Sequence, residues 1–265
     1  MSRVFLIAEC GSCHDGDPYK MQDLIRVAKE AGADAVKFQW CSSPEHLAER
    51  RHAQDYLDAY RTIAFPASAL SWLKAQCDVA EIEFMCTVFL SEDIQEIAPL
   101  IKRFKVASYE ATDQAFLQAH APYQKGIIIS HGMGQISGGF LTDYPISRQK
   151  FLHCVSAYPV PIKEMNLAVL GRNAHGEKNL DGLSDHSGHV LMGALAVAAG
   201  AEIIEVHFRL LSTSLHNPDY GHSLDPAQLT EYIANVRFAE AALGDGIKRC
   251  MPSEERWARY RVTAQ

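Results

Sequence analysis

Short apolar runs alternate with longer segments of mixed character along the whole chain. Eight of these runs are predicted to form strands: residues 3–9, 33–39, 83–87, 104–108, 126–130, 150–156, 182–186 and 203–208. Eight strands that alternate with helices at a spacing of roughly 30 residues predict an α/β fold, a (β/α)8 TIM barrel forming a single domain over residues 1–265. The alternative is a doubly wound open sheet, but no Gly-x-Gly-x-x-Gly pattern follows the first strand.

Helices are predicted between the strands, and several of them carry clear start or stop signals. Asp17-Pro18 and Asp225-Pro226 are typical helix starts, and Gly32 is a typical stop. The predicted helices cover residues 17–31, 44–60, 66–79, 91–101, 113–121, 163–172, 189–200 and 225–243. Residues 132–148 are rich in glycine and turn formers, so any helix there is expected to be short.

Composition narrows the class of protein. A chain of 265 residues with 48% hydrophobic content is long enough for one large core. The net charge of -7, without a basic cluster, argues against binding to nucleic acid or to an anionic membrane. No signal-peptide pattern and no apolar run of about 18 residues is present, so we expect a cytoplasmic protein. Seven scattered cysteines indicate reduced thiols rather than a disulfide framework.

Two histidines end neighbouring predicted strands that are joined by one crossover helix. Side chains alternate along a strand, so Ser184 and His186 share one face, and Glu205 and His207 share one face of the next strand. Two imidazoles that converge beside acids predict a divalent-metal site. The alternative interpretation is a pair of hydrogen-bonded core histidines.

Polar residues recur where the predicted strands end, which is the rim that carries the active site in a (β/α)8 barrel. They are Glu9, Lys37, Gln39, Thr87, Ser108, Glu110, Ser130, Ser156, Ser184, His186, Glu205 and His207, with Lys105 one alternation step inside its strand. An inward-facing charge costs several kcal/mol unless it is paired. One lysine could be the ion-pair partner of Glu9, but two lysines with several hydroxyls fit a small anion that carries a phosphate and a carboxylate.

The segment Cys10-Gly11-Ser12-Cys13-His14 matches the patterns of c-type haem attachment and of a thioredoxin-like redox pair. Neither is favoured, because haem attachment normally accompanies export and the redox fold is smaller. The favoured interpretation places Cys10 behind the first strand, and Cys13 and His14 in the first active-site loop.

Together the motifs resemble the sialic acid synthase family, whose members condense phosphoenolpyruvate with an N-acetylated amino sugar. The family's Gly-Ala-Asp-Ala-Val-Lys-Phe-Gln is present verbatim at Gly32–Gln39. Similar motifs follow the family's order in residues 7–16, 84–89, 104–110, 130–133, 152–159, 182–187, 205–208 and 217–224. The last of these resembles Gly-Pro-Asp-x-x-x-Ser-Leu, with Asn217 in place of the glycine. The resemblance covers residues 5 to about 245.

The resemblance implies a role for each matching position. His186 and His207 would hold a divalent metal, usually Mn²⁺. The phosphoenolpyruvate site would comprise Lys37, Thr87, Lys105, Ser108, Ser130 and Ser184, and we add Ser156 to the substrate-binding hydroxyls. Gln39 and Tyr158 would face the amino-sugar aldehyde. The acids expected to be catalytic are Glu9, Glu110, Glu205 and Asp219.

The chain also departs from the family's pattern. Members commonly carry an antifreeze-like domain after the barrel that reaches into a partner's active site with an arginine, so a homodimer is one expected assembly. This sequence stops at Gln265, and we expect an altered acceptor sugar, with His131, Arg209 or Arg256 as local replacements for that arginine. Two rival functions remain open: a Schiff-base aldolase that uses a barrel lysine, and a non-catalytic barrel that binds a sugar or a protein.

Overall fold

The computed structural model describes residues 3–134, 144–172 and 180–262. Within them, eight parallel strands form one sheet, and their order along it places β1 between β2 and β8. The strands are β1 Phe5–Gly11, β2 Ala35–Trp40, β3 Glu83–Val88, β4 Arg103–Val106, β5 Gly126–His131, β6 Gln149–His153, β7 Gly182–Asp185 and β8 Ile203–His207. β3 and β4 stand at the two ends of the hydrogen-bonded order and contact each other, which closes the sheet. The predicted (β/α)8 barrel is confirmed.

Helices cover the outside of the barrel, and the two with the clearest sequence signals begin where expected. They are α1 Pro18–Ala31, α2 Pro44–Arg50, α3 Leu57–Thr62, α4 Ser68–Val79, α5 Ile94–Ile97, α6 Gln114–Gln118, α7 Met192–Ala199, α8 Pro226–Leu243 and α9 Glu255–Ala258. Asp17 caps α1 by accepting from the backbone N–H of Tyr19, and Gly32 ends it with a left-handed backbone (φ 93°). Asp225 and Gln228 form a capping box at the start of α8.

Two predicted helices are interrupted, and a third, predicted over 91–101, is reduced to the 3₁₀ turn Ser91–Asp93 followed by α5. The segment predicted as one helix over 44–60 is broken, because α2 ends at Arg50 and His52 takes a left-handed backbone (φ 50°) before α3 begins. The segment predicted as a helix over 163–172 forms two 3₁₀ turns, separated by Asn166 at φ 45°. A left-handed residue interrupts the α-helical hydrogen-bond pattern in both places. Residues 135–143 of the glycine-rich segment lie outside the described residues.

The barrel interior is layered, and the layering positions the site. A plug of apolar side chains crosses the middle, formed by Ile7, Ala35, Met85, Ile128, Leu152 and Ile203. Because side chains alternate along a strand, the next inward residues lie one layer higher, as Glu9, Lys37 and Glu205 do. Strand register aligns them, with Glu9 opposite both Lys37 and His207. The charged residues therefore lie directly above the apolar plug, at the carboxyl ends of the strands, where they form the floor of a cavity.

A second apolar layer lies between the sheet and the helices. It includes the outward-facing residues Val36, Phe38, Phe104 and Ile204, all of them fully buried. None of the described helices is both long enough and apolar enough to cross a membrane.

Candidate active site

A cavity of about 840 Å³ opens at the carboxyl ends of the strands. Most of the residues predicted from the sequence line it: Lys37, Gln39, Thr87, Lys105, Ser108, Glu110, Ser130, Tyr158, Ser184, His186, Glu205, His207 and Asp219. Two predicted residues stand behind this wall. Glu9 is buried and accepts a hydrogen bond from Gln39 (2.8 Å), and the hydroxyl of Ser156 lies 2.8 Å from that of Ser108.

Two buried lysines dominate the floor of the cavity. The Nζ of Lys37 lies 2.6 Å from a carboxylate oxygen of Glu9 and donates to the hydroxyl of Thr87 (2.9 Å). The Nζ of Lys105 donates to the hydroxyl of Ser130 (2.7 Å). The expected pairing of a lysine with Glu9 is therefore present, alongside a second cation that has its own hydroxyl partner.

Glu205 lies between the two lysines. Its Oε2 is 3.9 Å from the Nζ of Lys37 and 3.6 Å from that of Lys105, and its Oε1 accepts from the hydroxyl of Ser184 at 3.0 Å. Burial by itself would raise the pKa of Glu205, but the ammonium groups of Lys105 and Lys37 outweigh burial and lower this pKa to about 2. Glu205 is therefore a permanent anion at neutral pH.

The pKa values of the other buried charged groups in the floor shift in different directions. Burial raises the pKa of Glu9 despite the adjacent ammonium of Lys37. Burial lowers the pKa of Lys105 despite Glu205, whereas for Lys37 the two carboxylates of Glu205 and Glu9 outweigh burial and raise the pKa. The ammonium groups of Lys37 and Lys105, each beside a hydroxyl, line this part of the cavity, so it can bind an anionic ligand.

The two predicted metal-site histidines do converge on the cavity, with ring centroids 5.4 Å apart. The Nδ1 of His186 lies 2.9 Å from the carbonyl oxygen of Val155, so this nitrogen carries the proton and leaves Nε2 unprotonated. The Nδ1 of His207 is buried without a hydrogen-bond partner among the described residues. Burial lowers the pKa of both imidazoles to about 4, which leaves them neutral and able to bind a cation.

A third histidine, not assigned from the sequence, lies beside this pair. The His222 ring is 4.6 Å from the ring of His207, and its Nε2 is 3.5 Å from Oδ1 of Asp219. His207, Asp219 and His222 each offer a ligand atom, and these atoms all lie within 4.8 Å of one another. The sequence signal for His222 was its place inside the motif at 217–224. That motif specifies no residue type at position 222, so it did not single out the histidine.

These residues fit a divalent cation. Burial lowers the pKa of His222 to about 3, so all three imidazoles are neutral at pH 7. The buried Nε2 of His222 also lacks a hydrogen-bond partner in the described part of the chain. Buried imidazole nitrogens that have no hydrogen-bond partner lie here next to a carboxylate. A metal ion can bind such nitrogen and oxygen atoms as ligands.

Arginines that sequence reasoning missed form the outer wall. Arg51 donates to Oε1 of Glu110 from Nε (3.0 Å) and from NH2 (2.6 Å), and its guanidinium stacks on the ring of Phe89, 4.7 Å from the centroid. Arg50 binds Asp113 at 2.6 Å and also lines the cavity. Both come from α2 and the residue after it, in the insertion that the sequence shows only as a polar stretch. Oε2 of Glu110 is buried without a partner among the described residues.

The arginine replacements expected from the sequence do not appear in this wall. His131, Arg209 and Arg256 are absent from the described residues that line the cavity. The guanidinium of Arg209 instead lies 4.0 Å from the ring centroid of Tyr220, and Arg256 is exposed near the end of the chain. His131 continues β5 on the face opposite Ser130, which points it away from the barrel interior.

The cysteines of the Cys-x-x-Cys-His segment are structural. All seven cysteines lie in described segments and are free thiols. Burial raises the pKa of the Cys10 and Cys13 thiols well above the ordinary value, which makes them poor nucleophiles at neutral pH. Cys10 belongs to the apolar layer behind the sheet, as expected.

The chain is similar to named proteins over nearly all of its length. The model of the NeuB family matches residues 24–248. The N,N'-diacetyllegionaminic acid synthase of Campylobacter jejuni is 32% identical, over 97% of this chain and 82% of that protein. A pseudaminic acid synthase of Campylobacter jejuni is 34% identical, over 92% of this chain and 76% of that protein. The crystal structure of N-acetylneuraminic acid synthetase from Leptospira borgpetersenii in complex with citrate superposes with a TM-score of 0.85, at 28% identity, over 98% of this chain and 92% of that one.

Proposed function

This chain belongs to the NeuB family, and on that premise we propose that it condenses phosphoenolpyruvate with the aldehyde of an N-acetylated amino sugar. The products would be a sialic-acid-like 2-keto-3-deoxy sugar acid and inorganic phosphate. The observation that carries the proposal is the pair of buried lysines, Lys37 and Lys105, which lie above the apolar plug at the carboxyl ends of the strands. Two such ammonium groups would bind a small ligand that carries two anionic groups.

The donor side of the proposed site is the floor itself. Lys37 with Thr87, and Lys105 with Ser130, are two cation–hydroxyl pairs, each held together by a hydrogen bond of less than 3 Å. One pair would bind the phosphate and the other the carboxylate of phosphoenolpyruvate. Glu205 keeps both ammonium groups in place and remains charged, so the lysines are oriented before the ligand arrives.

The acceptor side is the outer wall, where Arg50 and Arg51 lie next to Glu110. Glu110 has one oxygen bound by Arg51 and the other without a partner among the described residues, so that oxygen can accept from a sugar hydroxyl. Tyr158, Gln39 and Asp219 also line the cavity. The tyrosine, tilted over His186 with ring centroids 4.5 Å apart, would cover the ligand from one side.

In the proposed reaction, C3 of phosphoenolpyruvate forms a bond to the aldehyde carbon, water adds at C2, and the C–O bond to phosphate breaks. A divalent ion, Mn²⁺ by the family resemblance, supplies Lewis-acid polarisation of the aldehyde when bound, and His186 and His207 would hold it. The lysines stabilise the negative charge of phosphate and carboxylate throughout. Glu9 would position the donor side, because one of its carboxylate oxygens lies 2.6 Å from the Nζ of Lys37 and the other accepts from Gln39 at 2.8 Å.

The test is release of inorganic phosphate from phosphoenolpyruvate, measured with a panel of N-acetylated hexosamine aldehydes and Mn²⁺. We expect release with at least one amino-sugar aldehyde and none without an aldehyde. Mass spectrometry of the product should show the summed carbon skeleton. Failure to bind phosphoenolpyruvate by calorimetry, with Mn²⁺ present, would reject the proposal.

One observation favours a second candidate, a Schiff-base aldolase. Burial lowers the pKa of Lys105, and a lysine with a lowered pKa is the usual nucleophile of that chemistry. The same Nζ, however, donates to Ser130 (2.7 Å) and to the carbonyl oxygen of Val106 (3.1 Å), which occupies two of the three ammonium protons in the resting protein. Trapping with borohydride separates the two candidates.

A further inference from the structure

His222 lies inside the proposed metal site although the family pattern assigns it no role. It ends the 3₁₀ turn Tyr220–His222 in the loop after β8, at one of the unspecified positions of the Gly-Pro-Asp-x-x-x-Ser-Leu motif. Only 2% of the residue is exposed, and its Nε2 has no hydrogen-bond partner in the described segments. An imidazole nitrogen buried in this way costs free energy unless something binds it.

The atoms around His222 have the spacing of a ligand set. Its Nε2 is 3.5 Å from Oδ1 of Asp219, and one ligand atom from each of His207, Asp219 and His222 lies within 4.8 Å of the others. An ion that binds nitrogen and oxygen at about 2.0–2.2 Å in tetrahedral geometry keeps neighbouring ligand atoms roughly 3.3–3.6 Å apart. The carboxylate–imidazole separation already matches that edge.

The carboxylate of the set is fixed from behind. The backbone N–H and the hydroxyl of Ser12 both donate to Oδ2 of Asp219 at 2.7 Å, which leaves Oδ1 turned toward His222. Gly11 makes room for this approach, because a Cβ there would lie 2.2 Å from Oδ2. Such a hydrogen-bonded support is what orients metal-binding carboxylates.

The loop that carries His222 is held against the loop after β7. Gly188 has a left-handed backbone (φ 66°), and a Cβ at this position would lie 3.3 Å from the carbonyl oxygen of His222. The ring itself is held between His207 at 4.6 Å and Tyr158 at 5.0 Å. His222 therefore reaches the site through specific packing on both its backbone and its ring.

The geometry points to His222 as a protein ligand of the divalent ion, in a set of two imidazoles and one carboxylate formed by His207, Asp219 and His222. This inference rests on the proposed function, which calls for a divalent ion, and extends it by naming a ligand outside the family's pair. Imidazole donors suit Zn²⁺, Fe²⁺ and Ni²⁺ better than Mg²⁺, and affinity at such sites rises from Mn²⁺ to Co²⁺, so the site should bind Co²⁺ more tightly than Mn²⁺ and discriminate against Mg²⁺. His186 lies next to this set, with its ring centroid 5.4 Å from that of His207 and 6.3 Å from that of His222, and would bind the same ion as a further ligand.

The test is titration of the chelator-treated full chain with Mn²⁺ and with Co²⁺, without substrates, by calorimetry and by the electron paramagnetic resonance signal of free Mn²⁺. We expect His222→Asn and His222→Ala to weaken binding at least tenfold, since even the loss of a group that only supports a ligand costs about 10–100-fold in metal affinity. The matched control is His216→Ala, which removes an exposed imidazole from the same loop and should change the dissociation constant less than twofold.

A spectroscopic count guards against a folding artefact. Electron spin-echo modulation of bound Mn²⁺ should show one directly bound imidazole nitrogen fewer in His222→Asn than in the unaltered chain, and thermal melting of both apoproteins should agree. An unchanged nitrogen count, or a dissociation constant within twofold of the unaltered chain, would overturn the inference. The proposed function fails separately, if the metal-loaded unaltered chain binds no phosphoenolpyruvate while the metal titrations still distinguish the variants.

Discussion

Replacing Lys105 with methionine tests the proposed donor site most directly. The side chain is buried, with Nζ 2.7 Å from the hydroxyl of Ser130 and 3.6 Å from Glu205. Methionine keeps most of the side-chain volume and removes the charge, so the apolar plug below it should stay packed. The substitution therefore isolates the contribution of one cation to anion binding.

Two opposing terms decide the effect of Lys105→Met on stability. At an effective dielectric constant near 20, the attraction between charges 3.6 Å apart is about 4–5 kcal/mol. Burying an ammonium group costs several kcal/mol in real proteins, which offsets most of that attraction. Glu205 also keeps Lys37 and the hydroxyl of Ser184 as partners. We expect the free energy of unfolding to change by no more than about 2 kcal/mol.

The effect of Lys105→Met on phosphoenolpyruvate binding follows from the charged hydrogen bond that the substitution removes. A hydrogen bond to a charged group contributes about 1.5–3 kcal/mol, and 1.4 kcal/mol is a factor of ten in the dissociation constant. Loss of one such bond therefore predicts binding weakened roughly 10–100-fold in Lys105→Met. Calorimetric titration with phosphoenolpyruvate in the presence of Mn²⁺ measures this directly.

The matched control is Lys150→Met. Lys150 is the second residue of β6, at the opposite end of the barrel; its side chain is 43% exposed and pairs with Asp181 at 2.7 Å. It is a barrel lysine with an acidic partner but lies far from the proposed site, so phosphoenolpyruvate binding should be unchanged. If Lys105→Met binds phosphoenolpyruvate as tightly as the unaltered chain, or if Lys150→Met loses as much affinity, the assignment of the donor site to the floor is refuted.

Three further predictions follow from the described contacts. Gly11→Ala and Gly16→Ala both strain a left-handed backbone by about 1–2 kcal/mol, but only at Gly11 would the new Cβ meet a carboxylate, at 2.2 Å, so only Gly11→Ala should weaken Mn²⁺ binding tenfold or more; equal affinities in the two variants would contradict this. Burial between two phenylalanine rings lowers the pKa of His120 from 6.5 to about 4, so the native state takes up fewer protons than the unfolded state in that window, and stability falls as pH drops from 6.5 to 4. Urea unfolding of His120→Phe should therefore lose about 2 kcal/mol less stability between pH 7 and pH 5 than the unaltered chain, and parallel curves would show that the residue is not buried neutral. Borohydride treatment with pyruvate should leave the protein mass unchanged, whereas a stable adduct on either barrel lysine would favour the aldolase.

The alternation of residue types determined most of the barrel and its charged floor from the sequence alone. Strand side chains alternate faces, and parallel strands end at one rim, so the inward position of Lys37, Lys105 and Glu205 follows from local pattern and topology. The same reasoning placed His186 and His207 on adjacent strands, and their rings lie 5.4 Å apart. Boundaries were less accurate: β6 ends at His153, so Ser156 belongs to a loop rather than to a strand end.

The tertiary structure alone decided which loop residues enter the site. Arg51 reaches Glu110 because α2 packs back over the rim, and the ring of His222 reaches those of His207 and Tyr158 because the loop after β8 does the same. Local pattern does not specify such packing, because a loop has no fixed period that assigns its side chains to a face. The sharing of Glu205 by two lysines also arises only when the sheet closes, since β2 and β4 then both present an ammonium group to β8 across the interior.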